Sequence, residues 1–441
     1  MTLHGPAPSA FAERRAAVRA ALKGAVLFLP ETPEAVYAND VHYSYRPDTN
    51  ARYLSGFEEP CALILTSHGK EDDGFTMCVR PRDDKSETWT GRRAGLEGAR
   101  ETYGADHAVT LDEAFDVLLQ HLRRADRLYY AHSRDPLVNQ RILDLVHEAN
   151  SERPRRGGDP LVVSEAAPLL ADFRLRKRPE EIDRLREAAR VSAAAHTRLM
   201  ETIRPGQNEY QAQALLEFEF RNGGCTGPAY GSICAGGAGA TVLHYTTNDR
   251  ELVDGELMLV DAAGEYGGYC ADITRTFPVG RKFTSGQAAL YDIVLASQKA
   301  AIEAVRPGVR IDEVHRIAIR ELVEGMLGLE LLTGTVDECM ERNAYALYYM
   351  HNTSHWLGMD VHDAGSYRVG GDSRVLEPGM VLTVEPGIYL RTDAPVDEKL
   401  RGIGIRIEDD VLVTESGREV LTDDVPKDRR ELEKLRKRAL G

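Results

Sequence analysis

One pattern occurs twice in the last 190 residues: Gly255-Glu-Leu-Met-Leu-Val-Asp261 and Gly379-Met-Val-Leu-Thr-Val-Glu385. Each stretch begins with a glycine suited to a turn, continues as an apolar strand-like run, and ends in a carboxylate. A bare carboxylate at the end of so apolar a strand would be costly to bury, whereas a bound cation would remove that cost. The two stretches therefore predict a metal site at a pseudo-twofold axis.

The segments before these strands also repeat. Ile203-Arg-Pro-Gly206 leads into a helix-like segment at 209–220, and Val305-Arg-Pro-Gly308 leads into another at 311–323. Arg-Pro-Gly is a common turn, so coincidence is the alternative. The matched order of helix, turn, helix and acid-terminated strand favours duplication. A duplicated unit that faces itself leaves a cleft where a site can form.

The chain length predicts two domains, because 441 residues exceed one ordinary core. The first half alternates strand-like runs (Ala25–Leu29, Cys61–Thr66, Phe75–Val79, Leu128–Ala131) with helical segments (10–22, 111–124, 136–148), which favours an α/β domain. Pro179-Glu180-Glu181 has the composition of a helix start. We therefore place the domains at residues 1–174 and 175–441.

Charge and composition exclude several classes of partner. The net charge is −15 and the pI is near 5.4, which argues against nucleic acid and anionic membranes. No apolar run approaches the roughly 18 residues of a membrane span. The six cysteines are scattered without a Cys-x-x-Cys pair. Reduced thiols and a cytoplasmic location are therefore expected.

Each strand-terminal acid has a candidate partner. Glycines between Asp261 and Asp272 predict a hairpin that returns the second carboxylate beside the first. Near Glu385, alternation over 403–408 predicts a strand with Arg406 and Glu408 on one face. Four carboxylates suit two hard divalent ions such as Mn²⁺ or Co²⁺ better than one Zn²⁺. The adjacent Asp409 and Asp410 are predicted to be surface side chains.

Three histidines lie close together between the two carboxylate strands: His351, His355 and His362. The four-residue spacing of the first two could place both on one helical face. Asn352 stands where a zincin helix requires glutamate, so that motif is excluded. The clustering favours ligand or catalytic roles, while His244 is ambiguous from sequence alone.

Several blocks resemble the pita-bread metallopeptidases: residues 260–277, Ser354-His-Trp-Leu-Gly358, Thr383-Val-Glu-Pro-Gly387 and Gly404-Ile-Arg-Ile-Glu-Asp409. Within that group the chain is most similar to aminopeptidase P, with prolidase close behind. The N-terminal segments Tyr53–Pro60 and Trp89-Thr-Gly-Arg-Arg93 share this resemblance. It implies an α/β (α+β) fold with an N-terminal α/β domain followed by a pseudo-twofold pita-bread catalytic domain.

The resemblance also implies residue roles. Asp261 and Asp272 would bind one metal, His355 and Glu385 the second, while Glu408 would bridge both and Asp272 would also bridge. The remaining assignments are His244 and His362 at the scissile carbonyl, Glu385 as proton shuttle, and His351, Tyr389 and Arg406 at the proline subsite. Trp89 matches an aromatic that reaches an active site, often a neighbour's, although a core or interface tryptophan is an equal alternative.

These roles imply a metal-dependent exopeptidase that releases the first residue from peptides with proline second, by a metal-bridging hydroxide. Mn²⁺ is the expected ion, with Co²⁺ or Zn²⁺ as alternatives, and a homodimer or homotetramer is expected. Prolidase, which cleaves only dipeptides, is the main alternative. A metal-free relative such as creatinase, a non-catalytic binding module and methionine aminopeptidase fit the ligand set or the chain length less well.

Overall fold

A mixed six-stranded sheet forms the centre of Met1–Phe173, one of two units in this computed structural model. Its strands are β1 (Val26–Leu29), β4 (Cys61–Thr66), β5 (Phe75–Val79), β6 (His107–Thr110), β7 (Arg127–Tyr130) and β8 (Val162–Glu165), and a separate hairpin holds β2 (Val36–Ala38) and β3 (Val41–His42). The spatial order is β6-β5-β4-β1-β7-β8, with β1 antiparallel to β4 and parallel to β7. All four residues of β1 are buried, as expected for an apolar strand inside a sheet.

The structure describes residues 7–67, 74–133, 135–151, 153 and 158–441. In the first unit the helices are α1 (Pro8–Leu22), α2 (Thr49–Ser55), α3 (Asp84–Thr90), α4 (Gly95–Glu101), α5 (Ala114–Leu122) and α6 (Pro136–Ser151), followed by α7 (Ala167–Leu175), which contains the border between the units. The expected strands occur, two of them with the expected bounds. The helix expected from residue 111 begins as a 3₁₀ turn at Leu111–Glu113.

The second unit, Arg174–Gly441, carries five small sheets and long helices. The helices are α8 (Pro179–Thr202), α9 (Glu209–Asn222), α10 (Ser285–Ala304), α11 (Ile311–Gly328), α12 (Val336–Glu341) and α13 (Arg429–Leu440). The strands are β9 (Gly227–Pro228), β10 (Ile233–Gly236), β11 (Leu257–Asp261), β12 (Gly264–Tyr266), β13 (Tyr269–Cys270), β14 (Thr274–Pro278), β15 (Arg368–Val369), β16 (Asp372–Ser373), β17 (Val381–Val384), β18 (Gly387–Leu390), β19 (Ile403–Arg406), β20 (Asp409–Val413) and β21 (Arg418–Val420).

Backbone hydrogen bonds repeat between the two halves of this unit. The N–H of Gly206 donates to Leu252 O at 2.8 Å, and the N–H of Gly308 donates to Leu376 O at 3.0 Å. Both glycines have positive φ, 83° and 88°, which suits a residue without Cβ. The return bonds, from Leu252 N to Gln207 O and from Leu376 N to Val309 O, are 2.8 Å each. The sequence repeat is therefore a structural repeat.

Three-stranded antiparallel sheets form the corresponding part of each half. One sheet has the order β10-β11-β14 and the other the order β17-β20-β21. Strands β11 and β17 are apolar and buried up to their terminal acids, so each sheet carries its carboxylate at a strand end.

Buried arginines and a lysine connect the first and last segments of the second unit to its core. The guanidinium of Arg436, on α13, donates to the carbonyl oxygens of Pro278, Met200, Ile203 and Val279. Near the start of the unit, Arg174 and Lys177 both pair with the buried carboxylate of Asp363.

Among the described residues, no helix combines the length and apolar character that crossing a membrane requires. The cysteines at positions 61, 78, 225, 234, 270 and 339 are buried and take part in no disulfide.

Candidate active site

Four acids converge where the two halves of the second unit meet. Asp261 is the last residue of β11, and Glu385 follows β17 directly. The predicted hairpin between Asp261 and Asp272 exists as β12 and β13, with Gly267 and Gly268 at the turn. The strand expected over 403–408 ends at Arg406, so Glu408 lies in the link to β20, where its N–H donates to Thr274 O.

A candidate metal centre is formed by Asp272, His355 and Glu408, whose ligand atoms all lie within 4.8 Å of one another. Nε2 of His355 lies 3.4 Å from Oδ2 of Asp272 and 3.6 Å from Oε1 of Glu385. Nδ1 of His355 lies 3.1 Å from the carbonyl oxygen of Trp356 and therefore donates to it. That bond leaves Nε2 free to bind a cation, an arrangement common among metal-binding histidines.

The electrostatics of this cluster also fit a bound cation. Burial raises the pKa of Glu385 to about 7, with repulsion from Asp272 adding to the rise. Burial and neighbouring acids raise the pKa of Glu408 well above its ordinary value, and burial also raises that of Asp272. Burial lowers the pKa of His355, but its bond and attraction to Asp272 and its attraction to Glu385 raise it overall to about 9. Divalent cations would stabilise these crowded carboxylates in their charged form.

Tyr230 joins two of the predicted ligands. Its hydroxyl lies 2.7 Å from Oδ1 of Asp261 and 2.5 Å from Oδ1 of Asp272. Burial, reinforced by both carboxylates, raises the pKa of the phenol well above its ordinary value, so it remains a donor. Sequence reasoning missed this residue because Pro228-Ala-Tyr230 is not part of any strand or acid pattern.

Two further residues support the ligands. The hydroxyl of Thr274 donates to Oε2 of Glu408 at 2.6 Å, and Oδ2 of Asp410 accepts from Asp272 N at 3.0 Å. The surface position predicted for Asp409 and Asp410 is wrong, because both are buried. Asp409 lies on β20 and pairs with Arg275 and Lys427, so its charge is compensated inside the fold.

The residues expected at the proline subsite form a hydrogen-bonded chain. Nη1 of Arg406 donates to the hydroxyl of Tyr389 at 3.0 Å, and that hydroxyl lies 2.8 Å from Nε2 of His351. Nδ1 of His351 lies 2.8 Å from Asn352 O and must donate to it, so Nε2 accepts from Tyr389. Burial and the nearby Arg406 lower the pKa of His351 to about 4, which keeps the ring neutral.

Arg406 is anchored on its other side as well. Nη2 lies 2.5 Å from Oδ2 of Asp261, and Nε donates to Thr274 Oγ1 at 3.1 Å. The guanidinium therefore links the proline-subsite residues directly to Asp261, and through Thr274 to Glu408.

The histidines predicted at the scissile carbonyl face the same cavity. The ring centroids of His355 and His362 are 4.4 Å apart, and burial together with His355 lowers the pKa of His362. The helical face considered for His351 and His355 is wrong, because 351–355 is irregular chain. The cavity has a volume of about 890 Å³, and its walls include all four acids and the histidines at 244, 315, 351, 355 and 362.

Trp89 lies in the first unit, near the end of α3. Its side chain is 84% exposed, so the alternative of a core tryptophan is wrong for the chain alone.

Comparison with known proteins identifies the family of the chain. A sequence model of metallopeptidase family M24 matches residues 183–415, and one of the aminopeptidase P N-terminal domain matches residues 11–129. The Xaa-Pro aminopeptidase of Escherichia coli (strain K12) is 42% identical over 431 residues, covering 96% of each chain. A human Xaa-Pro dipeptidase is 32% identical, over 88% of this chain and 83% of its own.

Solved structures match over the whole chain. An aminopeptidase PepP from Pseudomonas aeruginosa has 44% identity and a TM-score of 0.95, covering 99% of this chain and all of that one. A zinc-substituted E. coli aminopeptidase P in complex with product has 41% identity and a TM-score of 0.93, covering 99% of each chain. The matches confirm the resemblance and the mixed α/β fold expected from the sequence. Together with the buried cluster of acids and His355, they show that the chain belongs to metallopeptidase family M24.

Proposed function

We propose that this chain is an Xaa-Pro aminopeptidase, which releases the first residue from peptides that have proline at the second position. The observation that carries the proposal is the position of His351 and Arg406, which line one cavity with the acids and His355 and are joined through the buried Tyr389. The relatives whose names include this activity match nearly the full length of the chain. A cleft with a candidate metal centre and an adjoining subsite that holds a neutral imidazole suits cleavage next to a proline ring.

The residues that would hold two divalent ions are Asp261 and Asp272 on one side, His355 and Glu385 on the other, with Glu408 and Asp272 shared. The tautomer of His355 and the raised pKa values of Glu385 and Glu408 support this assignment. When bound, such a pair of ions polarises a carbonyl and lowers the pKa of a shared water. Oxygen-rich ligation favours Mn²⁺, with Co²⁺ or Zn²⁺ as alternatives.

The protein's own groups then supply proton transfer and charge stabilisation. Glu385 would take a proton and deliver it to the leaving nitrogen, the role that the resemblance implies for this carboxylate. His244 and His362 line the cavity without joining the acid cluster, so they would donate to the carbonyl oxygen as negative charge develops there.

The proline subsite would be formed by His351, Tyr389 and Arg406. An Xaa-Pro bond has no N–H, so ordinary peptidases that hold this group lose a contact, and a pocket shaped for the ring replaces it. Because His351 is held neutral, the ring of proline would meet an uncharged imidazole. Replacing proline by alanine should cost about 10–200-fold in rate through lost apolar contact.

Prolidase is the second candidate, and Arg406 distinguishes the two. A dipeptidase must bind the substrate carboxylate close to the site, and Arg406 could do so if its charge were free. Instead its Nη2 pairs with Asp261 at 2.5 Å, and its Nη1 and Nε donate to Tyr389 and Thr274. This engagement favours longer peptides, which need no carboxylate at that position.

Mass spectrometry of an Xaa-Pro-Yaa-Zaa tetrapeptide, incubated beside an Xaa-Pro dipeptide with Mn²⁺, tests the proposal. Release of the first residue from the tetrapeptide is expected. Cleavage of the dipeptide with an intact tetrapeptide would establish prolidase activity instead.

We also propose residues 1–174 and 175–441 as the two domains, a homodimer or homotetramer, and a cytoplasmic location. The six buried cysteines, none of them in a disulfide, support a reducing compartment. The exposed Trp89 supports association, because a large apolar side chain in water is a common interface anchor. Light scattering of the wild type and of Trp89→Ser measures the oligomer, and loss of assembly is expected in the variant.

A further inference from the structure

His315 lies on α11 and lines the same cavity as the candidate metal centre, yet it belongs to none of the groups assigned so far. Its ring is half-buried behind the proline subsite. The centroid of Tyr349 is 4.7 Å from that of His351 and 6.3 Å from that of His315. The ring of Tyr349 therefore contacts both His315 and the proline-subsite residue His351.

A network of hydrogen bonds fixes the tautomer of His315. The backbone N–H of Thr353 donates to Nδ1 at 3.2 Å, and the hydroxyl of Thr353 lies 2.8 Å from the same atom. Tyr349 approaches that hydroxyl at 2.8 Å. Nδ1 must be an acceptor because a main-chain N–H cannot accept, so a neutral ring carries its proton on Nε2. Burial lowers the pKa of His315, which favours this neutral form.

The Nε2–H group has no partner among the residues that the structure describes. It is not fully buried, so it is open to a ligand. Thr353 and Tyr349, which orient the ring, are themselves buried. His315 thus presents a donor at the cavity wall whose direction is fixed by buried neighbours.

We propose that Nε2–H of His315 donates to the main-chain carbonyl oxygen of the residue after proline, so that α11 contributes a subsite for peptides longer than two residues. The inference rests on the proposed Xaa-Pro activity. Peptide carbonyls are the acceptors that such a substrate carries into the cleft. Successive residues of an extended chain advance by about 3.3–3.6 Å, so a cavity-lining group joined to His351 through one ring is within reach of the residue that follows the proline.

Two substrates isolate this bond: Ala-Pro-leucinamide, and Ala-Pro-isopentylamide, which keeps the leucine carbons but lacks the third carbonyl. The wild type should cleave the leucinamide with a kcat/KM about 10-fold higher, the effect expected of one hydrogen bond in a cleft. His315→Phe keeps an aromatic ring and loses the donor, so it should abolish the difference, mainly through KM. His315→Gln places an amide N–H at similar reach and should restore part of the difference.

The outcomes separate this inference from the proposed activity. If the wild type cleaves both substrates equally well, no bond to the third carbonyl exists and the inference is overturned. If His315→Phe slows both substrates by the same factor, His315 is only structural. If the wild type cleaves neither, the Xaa-Pro activity itself is wrong and the subsite falls with it.

Discussion

The hydroxyl of Tyr230 lies 2.5 Å from Oδ1 of Asp272, the acid expected to serve both metal ions. The link connects the segment after β9 to the acid that follows the hairpin β12–β13. Tyr230 would therefore position a predicted ligand without being one.

Tyr230→Phe removes this hydroxyl while keeping the ring. We expect the metal affinity to fall about 10–100-fold, the usual effect of losing a group that orients a ligand. Competition with a fluorescent chelator measures the affinity, and circular dichroism checks the fold. Unchanged affinity would show that Asp272 needs no such support.

Removing the metal should abolish activity. Dialysis against a chelator is expected to leave no measurable cleavage of an Xaa-Pro peptide, and Mn²⁺ or Co²⁺ should restore it, because the acids and His355 need a cation for hydrolysis. Elemental analysis must confirm the metal content of each sample. Full turnover by a demetallated sample would contradict the assignment.

Variants of the acids and variants of His244 and His362 should differ when metal content and turnover are both measured. Asp272→Ala and Glu408→Ala should lose most bound metal, since each is expected to serve both ions. His244→Ala and His362→Ala should keep the metal and lose about 10²-fold or more in kcat, as expected for proton transfer or oxyanion stabilisation. Wild-type metal content in either acid variant, or wild-type turnover in both histidine variants, would refute the respective role.

Metal-free protein should become less stable as the pH rises. The pKa of Glu385 is raised to about 7 from an ordinary value near 4.3, and that of His355 to about 9 from near 6.5. A raised pKa means that the folded state binds the proton more tightly, so this stabilisation is complete below the lower value and is lost above the higher one. The Tm in chelator should therefore fall between pH 5 and 9. Glu385→Gln should show a shallower fall, and an equal slope would exclude this carboxyl as a cause.

The buried ion pairs of Asp363, the residue after His362, give a stability prediction. Asp363 is buried and pairs with both Arg174 and Lys177, so Asp363→Asn should lower the free energy of unfolding by about 3–5 kcal/mol by leaving two cations poorly compensated. Asp360→Asn is the matched control: it bonds the same Arg174 but is 35% exposed, and should cost less than about 1 kcal/mol. Urea denaturation compares them, and equal losses would contradict the argument.

Periodicity predicted the repeat, the hairpin and the acid-terminated strands because local residue order determines these features. Asp261 and Glu385 lie at strand ends as expected, because a buried apolar strand usually ends where the chain reaches a charged residue. The resemblance, rather than spacing, supplied the roles of His351, Tyr389 and Arg406.

Contacts between distant segments could not be predicted in the same way. Tyr230 meets Asp272 and Thr274 meets Glu408 only after the sheets have packed. Asp410 looked like a solvent-exposed acid because three acids stand in a row, yet β20 lies within the core and the carboxylate accepts from the backbone of Asp272. Similarly, the His351–His355 spacing fits a helix, but the chain there is irregular.

The repeated Arg-Pro-Gly turns have a consequence for how the unit folds. The bonds from Gly206 to Leu252 and from Gly308 to Leu376 close each half on itself, with no residue from the other half involved. The acids and His355, in contrast, come together only when both halves dock. Each half can thus acquire native backbone pairing early, while cation capture must wait for docking. Metal should therefore act late in refolding. It should slow the separation of the docked halves more than it speeds their docking.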